Sequence, residues 1–166
     1  MGFRRVRCWD PLLFLIYIND LDSGVMSWIL KFADDTKVFR KVCNDMDRSI
    51  LQDDLDRLIA WSLEWLMFFN EKKCKVMHIG ESNRQFTYAM KGYTIDTVDL
   101  EKDLGVYLSK DMKVLSQINH AYSKANKMLG LIKRTIKNKT VDIMLRLYKS
   151  LVRPHIEYCC SVWSPY

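Results

Sequence analysis

The apolar residues of this chain change their spacing along its length, and that change limits the folds open to it. Trp28, Leu30 and Phe32 alternate with Ile29, Lys31 and Ala33, and the β-prone Thr36, Val38 and Phe39 resume after Asp34-Asp35. A period of two is that of a strand, and a two-residue acidic turn between such runs predicts a β-hairpin. Further strand-like runs follow Asn70, at 74–79, 86–90, 93–98 and 104–108, separated by Gly80, by Lys91-Gly92 and by an acidic turn. These read as a β-meander. Beyond Lys110 the spacing becomes helical. A mixed strand-and-helix part followed by helices is an α+β chain, with a division at 1–109 and 110–166.

The helices are read from their stripes. In residues 11–21, Leu12, Leu15, Ile16 and Asn19 share a face, predicting a short buried helix with Pro11 in its first turn. Over 45–69, Leu51, Leu55, Leu58, Leu66 and Phe69 keep helical spacing, while Asp53, Asp54 and Arg57 line the opposite, solvated side. Over 115–135 the inward residues are Ile118, Ala121, Ala125, Met128 and Ile132, and over 141–152 they are Met144, Tyr148 and Leu151, until Pro154 breaks the pattern.

Composition narrows the classes. With 166 residues, 49% hydrophobic and 28% charged, the chain is neither disordered nor collagenous. Five cysteines at loose spacing, two of them adjacent at Cys159 and Cys160, predict reduced thiols in an intracellular protein. Arg4, Arg5 and Arg7 before the apolar run 12–18 imitate a secretory signal, but Asn19, Asp20 and Asp22 stand where a small-residue cleavage site belongs. The run is also shorter than the roughly 20 apolar residues a bilayer requires, so no membrane partner is expected. The net charge of +6 favours polyanionic partners.

That charge is concentrated. Residues 110–139 carry eight Lys or Arg against the single acid Asp111. On a helix, His120, Lys124, Lys127 and Arg134 fall on one face, and Arg146, Lys149 and Arg153 repeat the arrangement on the next helix. Two cationic stripes suit a nucleic-acid backbone, although exposed helix faces are commonly lysine-rich for solvation alone. The other concentrated feature is Lys31-Phe32-Ala33-Asp34-Asp35-Thr36-Lys37. Adjacent carboxylates repel, so either they simply suit a turn or a cation offsets the repulsion. Mg²⁺, which takes hard oxygen ligands from one or two carboxylates and from substrate phosphates, is the natural candidate. His155 with Cys159 and Cys160 lacks the second ligand pair of a zinc site.

Four ordered blocks join these features. They are Pro-Leu-Leu-Phe-Leu-Ile-Tyr-Ile-Asn-Asp-Leu (11–21), Phe-Ala-Asp-Asp-Thr-Lys (32–37), Phe-Asn-Glu-Lys-Lys-Cys-Lys-Val-Met-His-Ile-Gly (69–80) and Lys-Asp-Leu-Gly-Val-Tyr-Leu-Ser (102–109). In this order they resemble the reverse transcriptases of non-long-terminal-repeat retrotransposons, the jockey-like group above all. Residues 123–130 and 147–166 look like the region after the palm in those polymerases. The resemblance implies a partial polymerase palm, made of hairpin, meander and packed helices, followed by a helical thumb-like segment. It also implies RNA-directed DNA polymerase activity by two-metal nucleotidyl transfer.

Carried over residue by residue, the resemblance makes Asp34 and Asp35 metal ligands and catalytic carboxylates for Mg²⁺ or Mn²⁺. Lys73, or its neighbour Lys72, would assist pyrophosphate departure. Leu104, Gly105 and Val106 look like a primer grip, and equally like an ordinary turn glycine with its neighbours. Lys124, Lys127, Arg134, Arg146, Lys149 and Arg153 would contact nucleic acid, the partners being an RNA template with a DNA primer, or the RNA–DNA duplex. Two departures stand out. Arg7-Cys8-Trp9-Asp10 replaces the family's Gly-rich turn beside the incoming nucleotide, and the palm strand with the completing aspartate, together with the fingers, would lie before Met1. The expectation is therefore an inactive fragment with weak metal affinity, for which an N-terminal portion of the polymerase is one candidate partner. The alternatives are a non-catalytic nucleic-acid-binding module and a retrotransposon remnant.

Overall fold

The computed structural model describes residues 9–164, with side chains from Leu12 onward. Arg4, Arg5, Arg7 and Cys8 lie outside the described residues. The chain divides into two units: residues 1–76 with 82–97, and residues 77–81 with 98–166. The β7–β8 hairpin at 100–109 thus belongs with the helices that follow it, and the division falls before 98, upstream of the expected 109/110.

In the first unit, helix α1 (Trp9–Tyr17) precedes the antiparallel hairpin of β1 (Trp28–Phe32) and β2 (Asp35–Phe39), and then α2 (Asp45–Glu64). Asn44 caps α2 by accepting from the Asp47 N–H at 2.8 Å, while the Asp47 carboxylate accepts from the Cys43 N–H at 2.9 Å. This reciprocal pairing of the first backbone donors fixes where the helix begins. The helix ends before 69, because Leu66 takes a left-handed φ of 56° and is exposed. A short 3₁₀ turn (Glu71–Lys73) then leads to β3 (Lys75–Val76), which pairs in parallel with β6 (Asp96–Thr97). Strands β4 (Ala89–Met90) and β5 (Tyr93–Thr94) form a small hairpin about Lys91-Gly92. The core is Tyr88, Met90 and Ile95, against which Leu51, Leu55, Ile59, Phe69, Cys74, Val76 and Phe86 pack.

The expected meander is instead a set of separate two-stranded pairings. One physical reason lies at Ala89, whose N–H donates to Gln52 Oε1 at 3.0 Å and whose carbonyl accepts from Gln52 Nε2 at 2.9 Å. A helix side chain thereby occupies the backbone groups that another strand would need. The buried helix expected at 11–21 is corrected too: it stops at Tyr17, and Leu12, Leu15 and Ile16 are exposed. Among the described side chains of this stretch, Ile18 and Leu21, in the turns beyond the helix, are the buried ones.

In the second unit β7 (Leu100–Asp103) and β8 (Val106–Ser109) form an antiparallel hairpin, followed by α3 (Leu115–Thr135) with the expected bounds. Gln117 is buried and its Oε1 accepts from the Tyr107 N–H at 3.0 Å, tying β8 to α3. After α3 come α4 (Val141–Leu147), a wide π turn (Tyr148–Val152), α5 (Arg153–Glu157) and α6 (Cys160–Trp163). Pro154 brings no N–H and its ring crowds the carbonyl four residues earlier. The chain answers by widening, with the Arg153 N–H reaching back to the Tyr148 carbonyl, and then continues as helix. That extra residue shifts the buried face. Val152 is fully buried with Ala125 and Ile132, among Met128, Leu129, Ile136, Met144 and Leu147, whereas Tyr148 and Leu151, expected inside, are exposed. Ile118, also expected inside, is partly exposed in favour of Gln117. The described residues are thus α+β, and no helix among them is long and apolar enough to cross a membrane.

Candidate functional site

The hairpin carrying Asp34 and Asp35 is in register Trp28↔Phe39 through Phe32↔Asp35. Its two-residue turn is therefore Ala33-Asp34, one position earlier than the expected Asp34-Asp35, and Asp35 opens β2. Ala33 has φ 52° while Asp34 has no positive φ, the pattern of a type II′ turn, in which glycine normally takes the first central position. Both aspartates are exposed, and neither side chain has a hydrogen-bond or ion-pair partner among the described residues. Lys31, the nearest cation on β1, points elsewhere: its Nζ donates to the carbonyls of Ile18 (3.2 Å) and Asn19 (3.1 Å) and to Asp22 Oδ1 (2.9 Å). The hydrogen bond from Lys31 holds the Asp22 carboxyl below its ordinary range.

A buried carboxylate on α2 anchors the start of the hairpin. Asp54, expected on a solvated face, is fully buried, and it accepts from the Met26 N–H at 2.9 Å and the Ser27 N–H at 2.8 Å. Arg57 Nη1 donates to Asp54 Oδ1 at 3.3 Å and also to the Gly24 carbonyl. The backbone donors ahead of β1 need acceptors, and this carboxylate with its guanidinium partner supplies them and balances the charge. No periodicity signal separates Asp54 from its exposed neighbour Asp53; only the contacts do.

The β1 alternation holds, but with the opposite sense to a core strand. Trp28, Leu30 and Phe32 are 73%, 58% and 61% exposed, while Ile29 and Lys31 are half-buried. Trp28 stacks on Phe39 across the hairpin, with ring centroids 6.5 Å apart.

Lys73 closes the 3₁₀ turn and is exposed, as is Lys72, and neither has an ion-pair partner among the described residues. No interaction joins Lys73 to Asp34 or Asp35. The next acid, Glu71, pairs with Lys91 at 2.8 Å, which lowers its carboxyl pKa. Among the described residues no cluster of three or more His, Cys, Asp or Glu could hold a metal ion. Two carboxylates offer hard oxygen donors of the kind that magnesium takes alongside water and phosphate oxygens. They do not by themselves form the two-sided clamp of two-metal catalysis.

In the second unit, Leu104 and Gly105 form the β7–β8 turn with φ of 44° and 88°, and Val106 is the buried first residue of β8. Tyr158 covers this turn. Its hydroxyl donates to the Leu104 carbonyl at 2.8 Å, and a Cβ on Gly105 would lie 2.9 Å from Tyr158 Cε1. The glycine thus admits a tyrosine ring of its own chain.

The structure separates the two cationic stripes. On α3, Lys124 and Lys127 are exposed with no carboxylate partner among the described residues, and Arg134 reaches only the Gly130 carbonyl, at 3.3 Å. On the next helices Arg146 pairs with Asp142 at 3.1 Å and Arg153 with Glu157 at 2.6 Å, leaving Lys149 without an ion-pair partner among the described residues. His120, expected on the α3 stripe, is half-buried instead, its ring edge-on to Tyr107 at 4.7 Å. Burial, with Lys124, Lys102 and Lys127 nearby, pushes its imidazole below the ordinary value. His155, which sequence reasoning did not place with these cations, shares a groove with them. Lys124, Lys127, Arg134, Met128, Leu131 and His155 line an open cavity of about 440 Å³. No family model, curated protein or solved structure matches the chain.

Proposed function

We propose that the chain is part of an RNA-directed DNA polymerase of the non-long-terminal-repeat retrotransposon type, palm-like in its first unit and thumb-like in its second. The observation that carries this reading is the pair of exposed carboxylates Asp34 and Asp35 at a hairpin turn, without a partner among the described residues, with the nearby Lys31 drawn away to Asp22. Within the resembled blocks, such a pair matches the family's metal-binding hairpin. Mg²⁺ held there would supply charge to offset phosphate oxygens during nucleotidyl transfer. With two carboxylates the isolated chain is expected to bind the ion weakly, on the order of millimolar as in sites of few ligands. Titration with Mn²⁺ tests this, since resonance broadening should centre on Asp34 and Asp35 and vanish in the double Asn variant. Primer extension on an RNA template with Mg²⁺ and deoxynucleotides should give nothing above background. Robust extension would show that the two carboxylates suffice, and broadening elsewhere would remove the metal reading.

A second reading is a non-catalytic nucleic-acid-binding module. It is favoured by Lys124 and Lys127, which carry charge with no internal partner among the described residues. Nucleic-acid binding without any metal dependence would select it.

A further inference from the structure

The groove on α3 and α5 has a chemistry that a row of phosphate contacts does not require. Lys124, Lys127 and Arg134 follow one another along α3, and the helical rise separates the last two by about 10 Å. Between them lie Met128 and Leu131, the latter 50% exposed, and His155 of α5 stands against them. None of the six lining residues is acidic.

A duplex hides its bases and presents closely spaced phosphates, so an apolar floor between cations gives it little. A strand with unpaired bases offers what this groove would bind: phosphates for the flanking cations and a flat apolar ring for the floor. Histidine is one of the side chains on which unpaired bases stack, and cationic grooves with such platforms bind single strands with little sequence preference. We propose that this groove is a single-strand site, taking one unpaired base against His155, Leu131 and Met128 and the neighbouring phosphates on Lys124, Lys127 and Arg134. This rests on the nucleic-acid reading of the second unit and narrows its ligand from duplex to unpaired strand.

Fluorescence anisotropy of the full chain with labelled oligonucleotides tests it, using a thymidine strand, an abasic strand of equal length and a blunt duplex. The thymidine strand should bind about 5- to 140-fold tighter than the abasic one, the factor for one stacked base. Its affinity should fall with a log–log salt slope near −2, for three phosphates neutralised on a single strand. His155→Ala should erase the advantage over the abasic strand and His155→Phe should keep it, both with an unchanged circular-dichroism spectrum. Equal affinity for the thymidine and abasic strands overturns the inference, as does a thymidine advantage that survives in His155→Ala. Tightest binding to the duplex, lost in the Lys124→Gln/Lys127→Gln variant, overturns this inference while leaving the nucleic-acid reading standing. No binding to any of the three oligonucleotides removes both.

Discussion

Gly105→Ala separates a structural role for the β7–β8 turn from a nucleic-acid role. The new Cβ would lie 2.9 Å from Tyr158 Cε1, 3.0 Å from its hydroxyl oxygen and 3.2 Å from Cζ, so the ring must move. Moving it weakens the 2.8 Å bond from the Tyr158 hydroxyl to the Leu104 carbonyl, worth roughly 0.5–1.5 kcal/mol and less here because the tyrosine is half exposed. Holding alanine at φ 88° adds about 1–2 kcal/mol. Together the substitution should cost about 2–3 kcal/mol. That is a fall of roughly 4–8 °C per kcal/mol for a domain of 60–100 residues. Urea and thermal unfolding followed by circular dichroism would measure the loss. The same substitution in a Tyr158→Ala background removes the collision and leaves only the backbone cost, about 1–2 kcal/mol. If Gly105→Ala costs equally in both backgrounds, the ring contact is not why glycine stands there. If it leaves stability untouched and weakens nucleic-acid binding, the turn acts on a ligand and the argument from Tyr158 fails.

Asp54→Ala should destabilise the first unit by about 2–4 kcal/mol, since it strips the acceptor from two backbone donors, one of them buried; hydrogen exchange at the Met26 and Ser27 amides should accelerate, and unchanged protection would refute the anchor. The Asp22 carboxyl is held below its ordinary 3.8 by Lys31, so its contribution is complete above that value and is lost as pH falls through the lowered one. Because Asp22 is more than half exposed, solvent screens the pair and the effect should stay under about 1 kcal/mol, read as a shallower acid limb in Asp22→Asn. Gln at Lys124 and Lys127 should reduce the salt dependence of nucleic-acid binding by more than Gln at Arg146 and Arg153, whose charges already meet Asp142 and Glu157; equal reductions would show that only the overall charge of +6 matters.

What the sequence made legible is what periodicity carries. The hairpin at 28–39 and helix α3 have the expected bounds, because alternation and a sustained apolar stripe each admit one backbone period. What it hid depends on single side chains reaching distant backbone. Gln52 at Ala89 and Gln117 at Tyr107 substitute for strand pairing, and nothing in the spacing of polar residues distinguishes them from solvated glutamines. Asp54 was indistinguishable from Asp53 for the same reason. The π turn before Pro154 inserts one residue into the helical phase, so every inward position assigned beyond it by a constant period shifts, and Val152 takes the place of Leu151. The site follows the same division. Adjacent aspartates between alternating runs could be read directly, down to a one-residue error in the turn. The inverted face of β1, with Trp28, Leu30 and Phe32 outward, could not, because alternation fixes which residues share a face and leaves open which face is covered. For His155 the missing information is similar: it lies 21 residues beyond Arg134, and only the helical turn around Pro154 brings its ring to the α3 cations.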